Sequence, residues 1–227
     1  MSFDLNAGNY PEDLVKILQS PNADKVLGAY ALGFRQKKFV LLITDLRGFT
    51  RVFERNQVPE LVTKFNIRLF ERSMHHIQDQ YGGCVNKLLG DGIFAYLPNS
   101  GTSTKKQAFK LAKDLIRTFK RESDSDQWED AQGIKESRVT IMLYAGKGYI
   151  GAMGGISSYS DYTLIGADVN RAFGCLKKIP GSSNMIGFND EMASEVPKEF
   201  RGKIQSKLVT MKRTETKVRL NYVKFDS

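Results

Sequence analysis

The chain of 227 residues contains 41% hydrophobic and 26% charged residues and carries a formal net charge of +9. These values are typical of one principal soluble domain with its own core, and no apolar run is long enough to cross a membrane. The two cysteines, Cys84 and Cys175, lie outside any zinc-ligand spacing, and the first residues lack a secretory signal. We therefore expect a cytoplasmic protein without zinc or membrane contact.

The first predicted unit is an N-terminal helical appendage, residues 1–36. Two stretches there carry apolar residues at helical spacing, and Ser20-Pro21-Asn22 separates them. A dimer contact or a cap would suit such a segment. The main domain is predicted over residues 37–227.

The main domain is predicted to mix strands and helices. Gly82-Gly83 ends its first long helix, the sequence GDG joins two apolar runs in a β-hairpin, and the polar stretch 122–137 is predicted to be a mobile loop. In chain order the predicted elements are a strand at 39–44, a helix over roughly 58–80, strands in CVNKLL and IFAYLP, a helix over roughly 105–120, separate strands in RVTIMLYAG, GYIGAM and DYTLIG, a helix in ADVNRAFGCLKKI, a strand in NMIGF and a basic hairpin.

The order strand, helix, strand, strand, helix, strand predicts the fold class. It is the order of a ferredoxin-like α+β sandwich, with helices on one face of a mainly antiparallel sheet. Fold alone decides no chemistry, so the function has to be argued from a site.

The positive charge is concentrated near the C-terminus, where residues 198–224 hold nine lysines or arginines. They alternate with apolar residues, as in a hairpin with one solvated face, and no aromatic stacking platform accompanies them. The pattern therefore favours a solvated sheet face over a nucleic-acid site. A ferredoxin-like RNA-binding module is the least favoured alternative, because the aromatic strand motif of such sheets is missing.

Two carboxylates stand at predicted strand ends beside glycines. Asp45 follows the apolar run 39–43 and Thr44, and Asp91 lies at the tip of the GDG hairpin. In a β-α-β-β arrangement these tips can meet, and a divalent cation such as Mg²⁺ or Mn²⁺ would offset the cost of the buried charge. Taken singly, each motif is also ordinary turn chemistry.

Gly48 follows Asp45 closely in the sequence DLRGFT. A glycine there lets the chain turn its amides toward an anion. A metal-bound triphosphate would then find both a cation and hydrogen-bond donors.

Several motifs occur together in one unbroken order. They are VLLITDLRGFTRVFE, YGGCVNKLLGDGIFAYL, YAGKGYIGAMGG and DYTLIGADVNRAFG. Over roughly residues 38–225 the sequence thereby resembles the catalytic domain of class III nucleotidyl cyclases, the fold of bacterial and animal adenylate and guanylate cyclases.

The resemblance implies a metal and phosphate site. Asp45 and Asp91 would hold two divalent cations, Mg²⁺ or Mn²⁺, with the Leu46 carbonyl as a further ligand. The amides that would cradle the triphosphate are those of Gly48, Phe49 and Thr50.

The resemblance also implies how the nucleotide is read. Lys87 stands where adenine-selective members carry a base-binding lysine, Thr163 stands where its partner lies, and Asn170 would orient the ribose. Lys212 and Arg213 fall near the place of a phosphate-binding lysine, although a solvated basic hairpin explains them equally well. Without the motifs around them, Lys87, Thr163 and Asn170 would be a surface lysine, a strand threonine and a helix-end cap.

One residue departs from the family pattern. Active members carry a transition-state arginine four residues beyond the asparagine, and Gly174 stands at that place. Arg171 follows Asn170 directly, and on a helix it would point about 100° away, which makes it an awkward substitute. Loss of such an arginine costs orders of magnitude in comparable phosphoryl-transfer sites.

We therefore expect a metal-dependent cyclase that makes a 3′,5′-cyclic nucleotide and pyrophosphate from a nucleoside triphosphate, with ATP favoured by Lys87 and Thr163. The family forms its sites between two subunits, so a homodimer is implied. Two alternatives stay open: a degenerate domain that binds nucleotide or a partner without turnover, which Gly174 favours, and a cyclase that acts on a pyrimidine triphosphate.

Overall fold

The structure is a computed structural model that describes residues 35–55, 59–128, 131, 133–153, 161–211 and 215–225. By its internal contacts the chain divides into two units, residues 1–36 with 149–165 and residues 37–148 with 166–227. Residues 1–34 of the predicted helical appendage lie outside the described residues, so that appendage stays a prediction.

Most of the helices and strands follow the predicted order. In chain order they are β1 (Arg35–Arg47), α1 (Phe49–Arg55), α2 (Pro59–His75), β2 (Cys84–Leu89), β3 (Gly92–Pro98), α3 (Thr102–Ser123), β4 (Arg138–Met153), β5 (Asp161–Ile165), α4 (Ala167–Leu176), β6 (Met185–Asn189), α5 (Asp190–Ala193), β7 (Gln205–Thr210) and β8 (Lys217–Lys224). A π-helical turn, His76–Gln80, continues α2, and two 3₁₀ segments cover Asp126–Trp128 and Lys198–Lys203.

The sheet of the larger unit has the strand order β2-β3-β1-β4-β6-β8-β7. Strand β3 pairs antiparallel with both β1 and β2, and β8 pairs antiparallel with both β6 and β7. The β4–β6 pair is parallel. The sheet is therefore mainly antiparallel, and the predicted α+β class is confirmed.

Both faces of β1 are buried, which explains its continuous apolar run. Val40 and Leu42 belong to the main core, to which α2 contributes Phe65. The alternate residues of a strand point to the opposite face, and Ile43 is fully buried there. Helix α4 packs on this second face. Its Phe173 contacts Phe94, the cross-strand partner of Ile43, edge-on, with ring centroids 5.2 Å apart.

The described part of the smaller unit contains a strand pair. The end of β4 pairs antiparallel with β5, in a register that runs from Tyr149 opposite Ile165 to Met153 opposite Asp161.

Three predictions of local structure need correction. The stretches RVTIMLYAG and GYIGAM form one continuous strand, β4, rather than two. A short helix, α1, follows Gly48 directly and was not predicted. The described part of the polar stretch 122–137 is not a mobile loop, because Trp128 and Ile134 are buried in the main core. Apolar side chains spaced through the polar stretch anchor it to the core.

Candidate active site

The ends of β1 and of the β2–β3 hairpin bring Asp45 and Asp91 together. The register of the β1–β3 pair runs to Ile43 opposite Phe94, and the Ile93 amide donates a hydrogen bond of 2.8 Å to the Thr44 hydroxyl oxygen. Continued by two residues, this register sets Asp45 opposite Gly92, directly after Asp91. The predicted meeting of the two strand tips is thus observed.

The hairpin tip is also held from α2. The side-chain amide of Asn66 donates a hydrogen bond of 3.2 Å to the carbonyl of Gly90, the residue before Asp91. Gly90 has φ of +65°, a left-handed conformation that glycine adopts without steric cost. The turn that presents Asp91 is therefore fixed on two sides, by β1 and by α2.

The two carboxylates interact electrostatically. Partial burial and then the nearby negative charge of Asp45 raise the pKa of Asp91 above its usual value, while the Arg47 guanidinium opposes this. Asp91 also lines a small cavity whose other walls include Leu46 and Leu69. Carboxylates that are close, partly desolvated and mutually repelling are the setting in which a cation is stabilising.

Asp45 already has one cationic neighbour in its own chain. Its Oδ2 lies 2.9 Å from Nε of Arg47, and the two side chains keep 34% and 27% of their exposure. Residues two apart on a strand share a face, which explains the contact.

The residues predicted to cradle phosphate lie at the start of α1. Gly48 has φ of +86°, and its carbonyl accepts hydrogen bonds from the amides of Arg51 and Val52 at 3.0 and 3.3 Å. Phe49 is buried, whereas Gly48 and Thr50 are exposed. The left-handed Gly48 thus ends β1 and begins the helix within one residue of Arg47.

Lys87 lies exposed on β2, at an irregularity in the β2–β3 register between Val85 and Lys87. Its cross-strand partner is Phe94, which is also the partner of Ile43. Cross-strand partners share one face of a sheet, and Asp45 lies two residues beyond Ile43. Lys87 and Asp45 therefore lie on the same face of the sheet.

Asn170 lies exposed on α4, whose first turn is anchored by Asp168. The Oδ2 atom of Asp168 accepts a hydrogen bond of 2.9 Å from the Lys147 amide, and its Oδ1 pairs with Arg171 at 2.7 Å. An acidic side chain in a first turn also suits the helix dipole. Arg171 is thus engaged by Asp168, and its unsuitability as a substitute for the family's arginine stays a prediction.

The place of the missing arginine is packed. A Cβ atom added to Gly174 would lie 2.7 Å from the Sδ atom of Met211 and 3.4 Å from its Cε. The contact is with the flexible end of a methionine, so a larger side chain would require a rotamer change there rather than a backbone shift.

The side chains of three predicted site residues lie outside the described part of the structure. Lys212 and Arg213 lie outside the described residues, and Thr163 lies in β5 of the smaller unit, with its side chain outside the description. Their roles stay predictions.

Sequence reasoning missed three residues that shape the site. Arg47 pairs with Asp45, and Asp168 anchors the start of α4. Asn66 holds the tip of the β2–β3 hairpin. The period of two along β1 could have paired Arg47 with Asp45, and the first-turn position could have marked Asp168. The long-range contact of Asn66 had no sequence signal.

The donor set fits a hard divalent cation. Two adjoining carboxylates, with the predicted backbone carbonyl of Leu46, would offer oxygen ligands only, which suits Mg²⁺ or Mn²⁺. Among the described residues no cluster of three or more histidine, cysteine, aspartate or glutamate side chains could hold a metal. A metal bound by Asp45 and Asp91 would need further ligands from backbone, water or substrate, as Mg²⁺ sites commonly do.

Comparison with solved structures identifies the fold. The adenylyl cyclase CyaB from P. aeruginosa matches with a TM-score of 0.70 and 22% identity, over 86% of this chain and 97% of that chain. The guanylyl cyclase Cya2 matches with a TM-score of 0.70 and 21% identity, over 85% and 94%. The guanylate cyclase domain of RhGC from Catenaria anguillulae, solved in complex with GTP, has a TM-score of 0.65 and 16% identity, over 85% and 100%. The chain thus has the fold of the class III nucleotidyl cyclase catalytic domain, and the resemblance is confirmed.

Curated relatives agree at the level of sequence, although no protein-family model matches the chain. An adenylate cyclase from Anabaena cylindrica is 25% identical over 194 residues, which are 83% of this chain and 37% of that protein. A terminal-differentiation-specific adenylate cyclase from Dictyostelium discoideum is 30% identical over 138 residues, 60% of this chain and 6% of that protein. The chain thus spans only a minor part of these relatives. In the part of the chain that the structure describes, no helix is both long and apolar enough to cross a membrane.

Proposed function

We propose that the chain is a nucleotidyl cyclase, which converts a nucleoside triphosphate, ATP first, to a 3′,5′-cyclic nucleotide and pyrophosphate. The reaction forms a bond from the ribose 3′ oxygen to the α-phosphorus, breaks the bond from that phosphorus to pyrophosphate and releases the hydroxyl proton. Catalysis of this class depends mainly on positioning and on neutralising charge. The observation that carries the proposal is the meeting of Asp45 and Asp91 at adjoining strand ends.

Asp45, Asp91 and the Leu46 carbonyl would hold two divalent cations, Mg²⁺ or Mn²⁺. When bound, such a cation supplies Lewis acidity, which lowers the pKa of the attacking hydroxyl and stabilises the leaving oxygens. The mutual repulsion of the two carboxylates supports this assignment, because it is relieved by a shared cation.

The amides at Gly48, Phe49 and Thr50 would bind the triphosphate beside the cations held by Asp45 and Asp91. The left-handed Gly48 at the start of α1 supports this role, since it turns the chain directly after Arg47. Lys212 and Arg213 would add positive charge from the C-terminal hairpin.

The nucleoside would be read by Lys87 and Thr163 at the base and by Asn170 at the ribose. In the family that the fold represents, one subunit holds the metals and the other reads the base and ribose. We therefore propose a homodimer. The Lys87 side chain favours ATP over GTP because guanylate cyclases usually place an acid there.

A second candidate function is a degenerate cyclase domain that binds nucleotide, or a partner, without turnover. The contact between the Gly174 position and Met211 favours it, because this packing fills the place of the transition-state arginine with a sulfur atom. A cyclase acting on a pyrimidine triphosphate is a third possibility that the same assay tests.

The deciding experiment incubates the purified protein with Mn²⁺ and each of the four ribonucleoside triphosphates and measures cyclic product and pyrophosphate. The proposal predicts product that disappears in Asp45→Ala and Asp91→Ala. Asp79→Ala is the matched control, because Asp79 is an exposed aspartate paired with His75 on the π-helical turn. Nucleotide binding without product in the wild type would support the degenerate domain, and no binding at all would overturn both.

Gly174→Arg in a Met211→Ala background separates the two candidates further. If the chain is a weak cyclase limited by the missing arginine, the double variant should exceed Met211→Ala in turnover by about tenfold or more. No gain would mean that the arginine cannot act from this position.

A further inference from the structure

Arg47 connects the candidate metal site, formed by Asp45 and Asp91, to two other secondary-structure elements. Its Nε forms the ion pair with Asp45 and donates a hydrogen bond of 3.2 Å to the Thr140 hydroxyl on β4. Its Nη2 donates a hydrogen bond of 2.8 Å to the carbonyl of Leu176, the last residue of α4. One guanidinium thus contacts β1, β4 and the helix that carries Asn170.

The guanidinium is held in a defined place. A Cβ atom at Gly181 would lie 3.2 Å from Cδ and 3.3 Å from Cγ of Arg47, so the absence of a side chain there makes room for the arginine stem. The Leu176 carbonyl also lies at the negative end of the α4 dipole, which attracts a cation. A planar guanidinium with several fixed donors suits this three-way contact better than a lysine would.

The ion pair with Arg47 leaves Asp45 open to a metal. The pair is made at the Oδ2 atom, and a carboxylate offers about four lone-pair sites over its two oxygens. A cation can therefore bind Oδ1 while the arginine keeps Oδ2.

The three side chains carry a net negative charge. Asp45 and Asp91 contribute two negative charges and Arg47 one positive charge, so together they carry a single negative charge. A first divalent cation would leave this group with a single positive charge. Without Arg47 the same cation would only neutralise the two carboxylates.

We infer that Arg47 is a fixed cation beside Asp45 and Asp91, which leaves this site with the net positive charge that a polyphosphate chain needs once the first divalent cation is bound. This inference rests on the proposed function, since it assigns Asp45 and Asp91 to metal. The ligand class it names is a polyphosphate anion, whatever base the nucleotide carries. Arg47 also supplies a cation in a chain that has Gly174 at the family's arginine position.

The test compares two binding constants in Arg47→Gln. Binding of Mn²⁺ alone, followed by electron paramagnetic resonance, should become tighter by about tenfold, because a positive charge close to the ion is removed. Binding of tripolyphosphate to the Mn²⁺-loaded protein, followed by calorimetry, should become weaker by about tenfold for the same reason. Opposite shifts are the signature of the charge, since a merely structural defect would weaken both.

Three further variants complete the design. Arg47→Lys keeps the charge and should keep tripolyphosphate binding within about threefold of the wild type. Arg47→Met keeps an unbranched stem beside Gly181, and it should repeat both shifts even if Arg47→Gln does not fold. Arg201→Gln removes one arginine from the exposed 3₁₀ segment, where it contacts the Val196 carbonyl, and should change neither constant.

The outcomes separate this inference from the proposed function. If Asp45→Ala and Asp91→Ala leave Mn²⁺ binding unchanged, the metal site itself is wrong. If they weaken it while the neutral Arg47 variants weaken both constants or change neither, the role of Arg47 is overturned and the metal site stands.

Discussion

Gly92 lies so close to Thr44 that a Cβ atom added to it would be 2.3 Å from the Thr44 carbonyl oxygen. Real Cβ atoms do not approach backbone oxygens to this distance. The second glycine of the GDG turn is therefore required for packing between β3 and β1, and the same close approach sets Asp91 beside Asp45. Turn formation and assembly of the site depend on one backbone contact.

Gly92→Ala should destabilise the fold by about 2–3 kcal/mol, because the clash is with backbone and cannot be relieved by a rotamer change. Urea unfolding measures this change in the free energy of unfolding. Gly202→Ala is the matched control, since an added Cβ there meets no atom within 4 Å. It should stay within about 0.5 kcal/mol of the wild type. Equal stability of the two variants would contradict the packing argument.

Asp91→Asn should raise the melting temperature of the metal-free protein at neutral pH. The pKa of Asp91 is raised by burial and by Asp45, so its charged form is disfavoured in the folded state. In the window just above the ordinary aspartate pKa the folded state binds more protons, and the free energy of unfolding therefore falls as pH rises through it.

Mn²⁺ should make the wild type more stable than Asp91→Asn, which reverses the order of the metal-free proteins. Mn²⁺ at a hundred times its dissociation constant stabilises a protein by about 2.7 kcal/mol, provided that the site is intact. The wild type should gain this stabilisation and Asp91→Asn should lose most of it in the same thermal melts. If Mn²⁺ stabilises both proteins equally, Asp91 is not a ligand.

Gly146 and Asp168 should behave as one unit. A Cβ atom at Gly146 would lie 2.7 Å from Oδ2 of Asp168, the atom that accepts the Lys147 amide hydrogen bond. Gly146→Ala should therefore displace Asp168 and release the start of α4. We expect Gly146→Ala and Asp168→Ala each to cost about 1–2 kcal/mol, and the double variant to cost no more than the larger single value. Additive losses in denaturant unfolding would contradict this coupling.

Cys175 should add a pH dependence to stability in the alkaline range. Burial raises the pKa of its thiol from 9.0 to about 11, so the folded state keeps this proton longer than the unfolded state. Unfolding free energy should therefore fall as pH rises between these two values. The stability advantage of the wild type over Cys175→Ala should shrink between pH 9.0 and about pH 11 in urea titrations. A stability difference between the wild type and Cys175→Ala that is constant with pH would contradict this prediction. Cys84→Ala is the control for loss of a thiol.

Local patterns were sufficient for much of the fold. The GDG hairpin, the apolar run of β1 and the buried stripe of α3 follow from turn chemistry and from periods of 2 and 3.6 residues. Asp45 and Asp91 could be paired because a β-α-β-β order brings those strand ends together. These features depend on residues close in sequence or on simple topology.

Other features depend on contacts that no local pattern encodes. The polar stretch after α3 was predicted as a mobile loop, but its Trp128 packs edge-on against Phe65 of α2, with ring centroids 5.5 Å apart. The contact between the Gly174 position and Met211 joins α4 to a residue beyond β7. Arg47 reaches Leu176, 129 positions away along the chain. Such long-range partners become visible only in the folded structure.

The most direct test of the central claim is Mn²⁺ binding to the wild type, Asp45→Ala, Asp91→Ala and the double variant, measured by electron paramagnetic resonance. The account predicts that each single substitution weakens binding by about tenfold or more and that the double variant is little worse, because both carboxylates form one site. Wild-type affinity in either single variant would contradict it.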